Sequence, residues 1–315
     1  NPFFGVAIAA LAADGLFSVF LNPMGQADLQ TGMPGAWALS LVLAHSAGHV
    51  RFSSSMRWIP VALGGGLVLA SAMETQSQYQ VVVVKSTVAP TTTESIVLPL
   101  LRSGTSKPFG LCMNPEFLLE GNALDGFLDP DRIVIGALDQ RSGDVLERLY
   151  QDFHAPVFRA SIATVETVKY ASNALLATAI SFSNEMANIC ELVPGVDIQE
   201  VTEAIHLDHR LSPEHAGERV RPGFLSYLAA GCGYGGSCLP KDLAAFQAFA
   251  QGKGYQPPLL EAVERINAQR PLRLVEMAEH VLGSLNNKRI AVLGLAFKPD
   301  TDDMRQSPAI PVVEE

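Results

Sequence analysis

The sequence predicts an α/β protein in which a mainly parallel sheet gives way to a long helical segment and then to the start of a second α/β unit. Three observations carry that expectation. Val81-Val-Val-Val84 is a β-branched run suited to a strand buried on both faces. Residues 161–192 contain neither Gly nor Pro until Pro194-Gly195, and so predict one long helix. Arg289-Ile-Ala-Val-Leu293 followed by Gly294 predicts a new strand that opens the second unit.

The elements follow in order. After Val84 the polar turn Lys85-Ser-Thr-Val-Ala-Pro-Thr-Thr-Thr93 leads into a helix through about Leu101. Further strands are expected at Gly110–Met113 and Arg132–Ile135, which places ligands at the carboxyl ends of the strands. Beyond the long helix, helical text covers 197–207, 241–251 and 257–283. Four segments are expected: an atypical apolar stretch over 1–80, the sheet domain over 81–160, a helical region over 161–284, and the opening of a further domain over 285–315.

The first 80 residues differ from the rest. Of 54 charged residues, only Asp14, Asp28, Arg51, Arg57 and Glu74 precede Val81. The apolar runs at 3–13, 36–44 and 59–73 are each shorter than the roughly 20 residues a membrane span needs. No basic region of a secretory signal stands before them, and a membrane anchor is not the expectation. No strand or helix periodicity is sustained there. Gly64-Gly-Gly66 misses the G-x-G-x-x-G fingerprint, since Leu69 stands where the third glycine belongs.

With 315 residues the chain is long enough for two or three domains, and its net charge of −10 argues against nucleic-acid binding. Four cysteines, Cys112, Cys190, Cys232 and Cys238, lack CxxC spacing; a reducing, cytoplasmic setting is expected.

Gly233-Tyr-Gly-Gly-Ser-Cys-Leu-Pro-Lys-Asp242 is the most informative stretch. It sets Cys238 in a glycine-rich turn, with Pro240 suited to the first turn of a helix and Lys241 and Asp242 just after it. A thiol there, beside a lysine and a helix N-terminus, is expected to be reactive. In Asn114-Pro-Glu-Phe-Leu-Leu-Glu-Gly121, Glu116 and Glu120 are four apart. If that segment is helical they share a face and suit acid–base work; otherwise they are a solvated pair. Lys169 and Asn173, also four apart, and Asn184 lie along an apolar helix and could stabilise an oxyanion. Alternatively Lys169 reaches to water and Asn173 satisfies a backbone group. His206, His209 and His215 match no standard metal spacing and read as surface polar residues; no metal is expected. His45 and His49 read the same way.

Taken in order, the GGSCLPKD block, Asn114–Gly121 with Asp129-Pro-Asp-Arg-Ile-Val-Ile-Gly136, Lys169 to Asn173, and Gly294-Leu-Ala-Phe-Lys-Pro-Asp-Thr-Asp-Asp303 resemble the UDP-glucose/GDP-mannose dehydrogenase family. The matching text runs from about Val81 to the C-terminus. The resemblance implies a Rossmann-like NAD-binding domain, a central helical domain that dimerises through the long helix, and the start of a second Rossmann-like domain for the nucleotide. It implies a four-electron oxidation of a nucleotide-sugar C6 alcohol to the uronic acid, with NAD as cofactor. Cys238 would be the nucleophile, Lys169 and Asn173 would hold the oxyanion, and Glu120, Asp242 and a water on Thr87 would manage protons. Glu116, Asn184, Arg221, Gly235 and Lys298 would meet substrate, with Arg221 reaching a neighbouring subunit. Ser86, Thr87, Glu120 and Lys241 would lie on the cofactor side.

Several features depart from the family pattern. Leu119 stands where the family has arginine, and Thr92 where its Ser-Thr-Val turn carries glycine. The N-terminal glycine fingerprint and ribose-binding acid are not recognisable, and Gly48–Ser55 matches a family strand only faintly. A truncated, frameshifted or fused opening, and a nucleotide domain cut short, are therefore expected. UDP-glucose is the expected substrate; GDP-mannose is the alternative, since Asp208-His-Arg-Leu211 and the leucine of SCLPKD are at home in that branch. An inactive remnant is a further alternative.

Overall fold

The computed structural model describes the backbone of residues 5–9 and 18–21, and residues 69–315 throughout. The readings made of Gly64–Gly66, of His45 and His49, of Gly48–Ser55 and of the apolar run 36–44 lie outside the described residues. The chain divides into two compact units, 1–169 and 170–315.

The first unit is built on a six-stranded sheet in the order β2-β1-β3-β4-β5-β6. Its strands are β1 (Gly5–Ala9), β2 (Ser18–Leu21), β3 (Gln80–Val84), β4 (Phe109–Met113), β5 (Ile133–Ala137) and β6 (Val157–Ala160). The β1–β3, β3–β4 and β5–β6 pairs are parallel; β1–β2 and β4–β5 are antiparallel. Strands therefore occur within the first 80 residues, where the sequence showed no sustained period, and residues 69–74 are already helical. Four to five residues per strand are too few to register as a period in a stretch rich in Ala, Gly and Leu.

Side-chain alternation explains why β3 is valine from Val81 to Val84. Val82 and Val84 pack with Leu69, Met73, Leu101, Leu111 and Met113 on one face. Val81 and Val83 pack with Cys112, Ile135, Val145 and Leu146 on the other. Both faces are dry, so neither tolerates polar residues. Burial pushes the Cys112 thiol up to about 12, leaving an inert packing group. On the edge strand β6, Val157 and Phe158 stay exposed, and this strand was not legible from its four residues.

Between β3 and β4 the chain runs through a π-helical turn, Thr93–Val97, into α1 (Leu98–Gly104). Helices α2 (Ala123–Leu128) and α3 (Gln140–Leu149) follow β4 and β5. Asp139 starts α3 with a capping box, accepting the Ser142 N–H at 2.8 Å. Helix α4 (Ile162–Cys190) is the predicted long helix and runs from the first unit into the second.

The second unit continues with α5 (Ile198–His206), the short hairpin β7 (Glu214–His215) and β8 (Glu218–Arg219), a 3-10 turn at Gly223–Tyr227, and α6 (Leu239–Gly252). Helices α7 (Pro258–Gln269), α8 (Leu272–Leu282) and α9 (Ala309–Glu314) complete it. Its core joins Ala174 and Ala177 of α4 to Tyr234, Leu243 and Val263. The expected helix 257–283 is two helices, broken at Arg270-Pro271, because proline cannot donate to the preceding turn. The expected strand Arg289–Leu293 does not form; those residues are irregular and mostly exposed, and among the described residues no strand pairs with them. Among the described residues, no helix is long and apolar enough to cross a membrane.

Of the five described non-glycine residues with positive φ, Thr91 is the β-branched one. The family pattern placed its glycine at Thr92, but Thr92 is right-handed (φ −60°) and the left-handed residue is Thr91 (φ 74°). A β-branched side chain is costly in that region. Thr91→Gly is expected to raise stability to urea by about 1 kcal/mol, the relieved strain exceeding the entropy glycine adds to the unfolded chain. A lower unfolding midpoint would contradict this.

Candidate active site

The candidate residues fall into two groups, one in each unit. In the first, β3 and β4 end level with each other, Val84 opposite Met113. Lys85, Ser86 and Thr87 leave β3 there, and Asn114, Pro115 and Glu116 leave β4. Asn114 is 2% exposed and bonded at both polar atoms. Its Oδ1 accepts from Lys85 Nζ (2.9 Å) and from the Tyr150 hydroxyl (2.6 Å), and its Nδ2 donates to the Val134 carbonyl (2.8 Å).

Glu116 and Glu120 do not share a helical face: residues 114–119 are irregular and α2 begins only at Ala123. Asn114 and Pro115 divert the chain, and Glu116 Oε2 accepts the Leu118 N–H (2.7 Å), closing a local turn in place of a helical one. The other Glu116 oxygen lies 3.3 Å from Lys169 Nζ. Lys169 is 4% exposed and also lies 5.1 Å from the Phe117 ring centre, so it does not reach to water. Glu120 is half-buried. A cavity of about 290 Å3 opens here, lined by Lys85, Asn114, Glu116, Phe117, Arg132 and Tyr150 among others. Burial pushes the Lys85 ammonium down to about 8; Lys169 adds to the effect and Glu116 opposes it.

The donors at these strand ends suit a nicotinamide nucleotide. Ser86 is buried and Thr87 half-buried, both uncharged hydroxyls at the carboxyl end of a parallel strand, where open α/β sheets bind nucleotides.

In the second unit Cys238 is exposed and stands as N-cap of α6, with Pro240 in the first turn. Its Sγ lies 3.6 Å from Ser237 Oγ. Asp242, 1% exposed, accepts from Asn173 Nδ2 at 2.5 Å and pairs with Lys241 Nζ at 2.7 Å. Asn173 therefore serves a carboxylate and not a backbone group.

The glycines of the turn are required sterically. A Cβ on Gly235 would stand 2.2 Å from the Gln306 carbonyl oxygen. One on Gly236 would stand 2.7 Å from the Phe297 ring, and Gly236 has φ +82°. The Gly236 N–H donates to the Arg305 carbonyl (2.9 Å), so the segment carrying Lys298 is bound against the turn. Tyr234 and Asn267 exchange two further bonds, at 2.7 and 3.0 Å.

Asn184 is fully buried, its Oδ1 accepting the Gly231 N–H at 2.7 Å, while its Nδ2 has no partner among the described residues. Arg221 is exposed and lies 3.1 Å from Nδ1 of His206. His206 is not a surface residue: it is 7% exposed, because α5 turns it inward. His209 and His215 are exposed, as read. Lys85, Asn114, Asn267 and Phe297 were not singled out as site residues; only the turns they brace reveal them.

Residues 68–154, 163–269 and 291–315 match, in turn, the NAD-binding, central and UDP-binding domains of the UDP-glucose/GDP-mannose dehydrogenase family. The chain belongs to this family. Its relatives include the UDP-glucose 6-dehydrogenase of Haloferax volcanii, 41% identical over 255 residues, which cover 78% of this chain and 56% of that one. That of Rickettsia bellii is 42% identical over 237 residues, covering 74% and 50%. Among solved structures, a UDP-glucose dehydrogenase from Pyrobaculum islandicum superposes with a TM-score of 0.72 at 39% identity, covering 80% of this chain and 56% of that one. The chain spans about half the length of the curated relatives it matches.

Two predictions follow from the buried groups. Asp242→Ala leaves the buried Asn173 amide without its acceptor while Lys241 stays partly solvated, and thermal unfolding should show a loss of about 2 kcal/mol. A loss below about 1 kcal/mol would show the pair to be solvated. For Lys85 the folded form releases its proton near pH 8 and the unfolded chain near 10.5, so between these the unfolded state binds more protons and stability rises with pH. The stability of the parent relative to Lys85→Met should grow by about 3 kcal/mol across that window; a flat difference would contradict it.

Proposed function

We propose that this chain carries the catalytic apparatus of an NAD-dependent nucleotide-sugar 6-dehydrogenase, acting on UDP-glucose to give UDP-glucuronate. The observation that carries the reading is Asp242, buried between Asn173 and Lys241 one turn after the exposed Cys238. Relatives about 40% identical that are UDP-glucose 6-dehydrogenases favour UDP-glucose over GDP-mannose.

When bound, NAD supplies the hydride acceptor for both oxidations, with Ser86, Thr87, Glu120 and Lys241 as its contacts. The chain's own residues perform the remaining chemistry. Lys169 and Asn173 stabilise negative charge on the sugar oxygen as the alcohol is oxidised. Cys238 Sγ then adds to the aldehyde carbon, so that the intermediate stays bonded to the protein. After the second oxidation the sugar is held as a thioester. Water adds to its carbonyl, the C–S bond breaks, and the thiol returns with its proton. Thr87 orients that water, and Glu120 and Asp242 manage its protons. Glu116, Asn184, Arg221, Gly235 and Lys298 position the substrate, with cations matched to its diphosphate.

In this reading residues 1–80 stand in place of the first NAD half-domain and 81–160 complete it. Residues 161–284 form the central domain, and 285–315 begin the nucleotide-sugar domain. A homodimer through α4 is supported by Leu175, Phe182 and Ile189, exposed apolar residues seven apart. Four free thiols suit the reducing cytoplasm.

NADH formation measured with each sugar tests the reading. UDP-glucose should be oxidised with two NADH per sugar, GDP-mannose at least about tenfold more slowly, and Cys238→Ser should lose complete turnover on the order of 1000-fold. Faster GDP-mannose oxidation would reassign the substrate. Unchanged turnover in the variant would remove Cys238 from the mechanism. No turnover with either sugar would make the chain an inactive remnant.

A further inference from the structure

The catalytic reading leaves one fully buried carboxylate unused. Glu166 lies on α4, three residues before Lys169, and is 0% exposed. Its two oxygens accept backbone N–H groups from residues distant in sequence: Oε2 from Thr91 at 2.6 Å and Oε1 from Thr93 at 2.8 Å. These two N–H groups flank the start of the π-helical turn and include that of the left-handed Thr91.

Three physical points make this more than packing. Burying a carboxylate is expensive unless it is well bonded, and burial pushes the Glu166 carboxyl above its ordinary range while these N–H groups oppose the shift. Left-handed threonine persists only where its surroundings hold it, and here a charge-assisted bond to its own N–H does so. Finally, with Glu166 on these donors, neither N–H is offered to a ligand. What the turn presents from β3 is then Ser86 and Thr87.

We infer that Glu166 is a positioning residue that clamps the β3 turn to α4 and so sets Ser86 and Thr87 relative to Lys169. Helix geometry puts Glu166 and Lys169 on one face a turn apart, so the residue that grips the turn and the one that would meet the reacting oxygen move as one rigid piece. The functional half of the inference rests on the reading of Ser86, Thr87 and Lys169 proposed above; the clamp itself does not.

The test uses the full chain. Glu166→Gln keeps volume but replaces one acceptor with a donor, and the exposed Glu94→Gln on the π-helical turn is its control. Amide hydrogen exchange should accelerate at least tenfold at Ser86, Thr87, Thr91 and Thr93 in Glu166→Gln, and not in Glu94→Gln. The kcat for NADH formation should fall about tenfold with KM for the nucleotide sugar within twofold. Unchanged exchange in Glu166→Gln overturns the clamp, and faster exchange with parental kcat and KM overturns its role in positioning. Should the parent chain oxidise neither sugar, the proposed function fails by itself, and exchange at Ser86 and Thr87 alone decides the clamp.

Discussion

A polar side chain buried in an apolar helix has to be paired, and the structure is organised by how α4 meets that demand. Glu166, Lys169, Asn173 and Asn184 are all under 10% exposed. Each reaches a different segment: the β3 turn, Glu116 after β4, Asp242 in the first turn of α6, and the Gly231 backbone. An unpaired group at any of these positions would cost about 1–3 kcal/mol, and more if charged. Within each unit these bonds tie α4 to the segments that carry the residues proposed to do the chemistry.

The turn around Cys238 shows the complementary device, removal of bulk. Gly235 and Gly236 exist as glycines because Gln306 and Phe297 occupy the space a Cβ would need. The segment that the family uses to begin its UDP-binding domain is thus fitted against the turn bearing the candidate nucleophile. Cys238 itself remains exposed while Asp242, four residues on, is buried. The exposed thiol proposed to meet substrate and the buried carboxylate with its fixed partner are separated by one turn of helix.

Much of this could be read from the residues. Val81–Val84 declared a doubly buried strand because both pleat faces needed apolar side chains. The long helix was legible because nothing over 161–192 interrupts it. The Cys, Lys and Asp of the glycine turn and the pair Lys169 and Asn173 were legible as chemistry because polar groups stood in apolar or glycine-rich text. Less visible were β6, whose four residues carry too little pattern, and the break at Pro271 within continuous helical text. Arg289–Leu293 had strand composition but no partner strand among the described residues, and a strand without a ladder is not stable. The irregular path of Glu116 to Glu120 followed from hydrogen bonds of Asn114 and Glu116 that no spacing rule encodes.

The sequence by itself determined which segments are buried on both faces, where the long helix runs, which family the chain resembles and which side chains could react, since composition and local period govern these directly. Only the tertiary structure decided partners. It gave Asn173 to Asp242, Lys169 to Glu116, the left-handed backbone to Thr91 and two N–H groups to Glu166. Except for the local turn at Thr91, these join residues 53 to 75 positions apart, and the free energy of a buried polar pair depends on whether its partner arrives, which no local pattern can state.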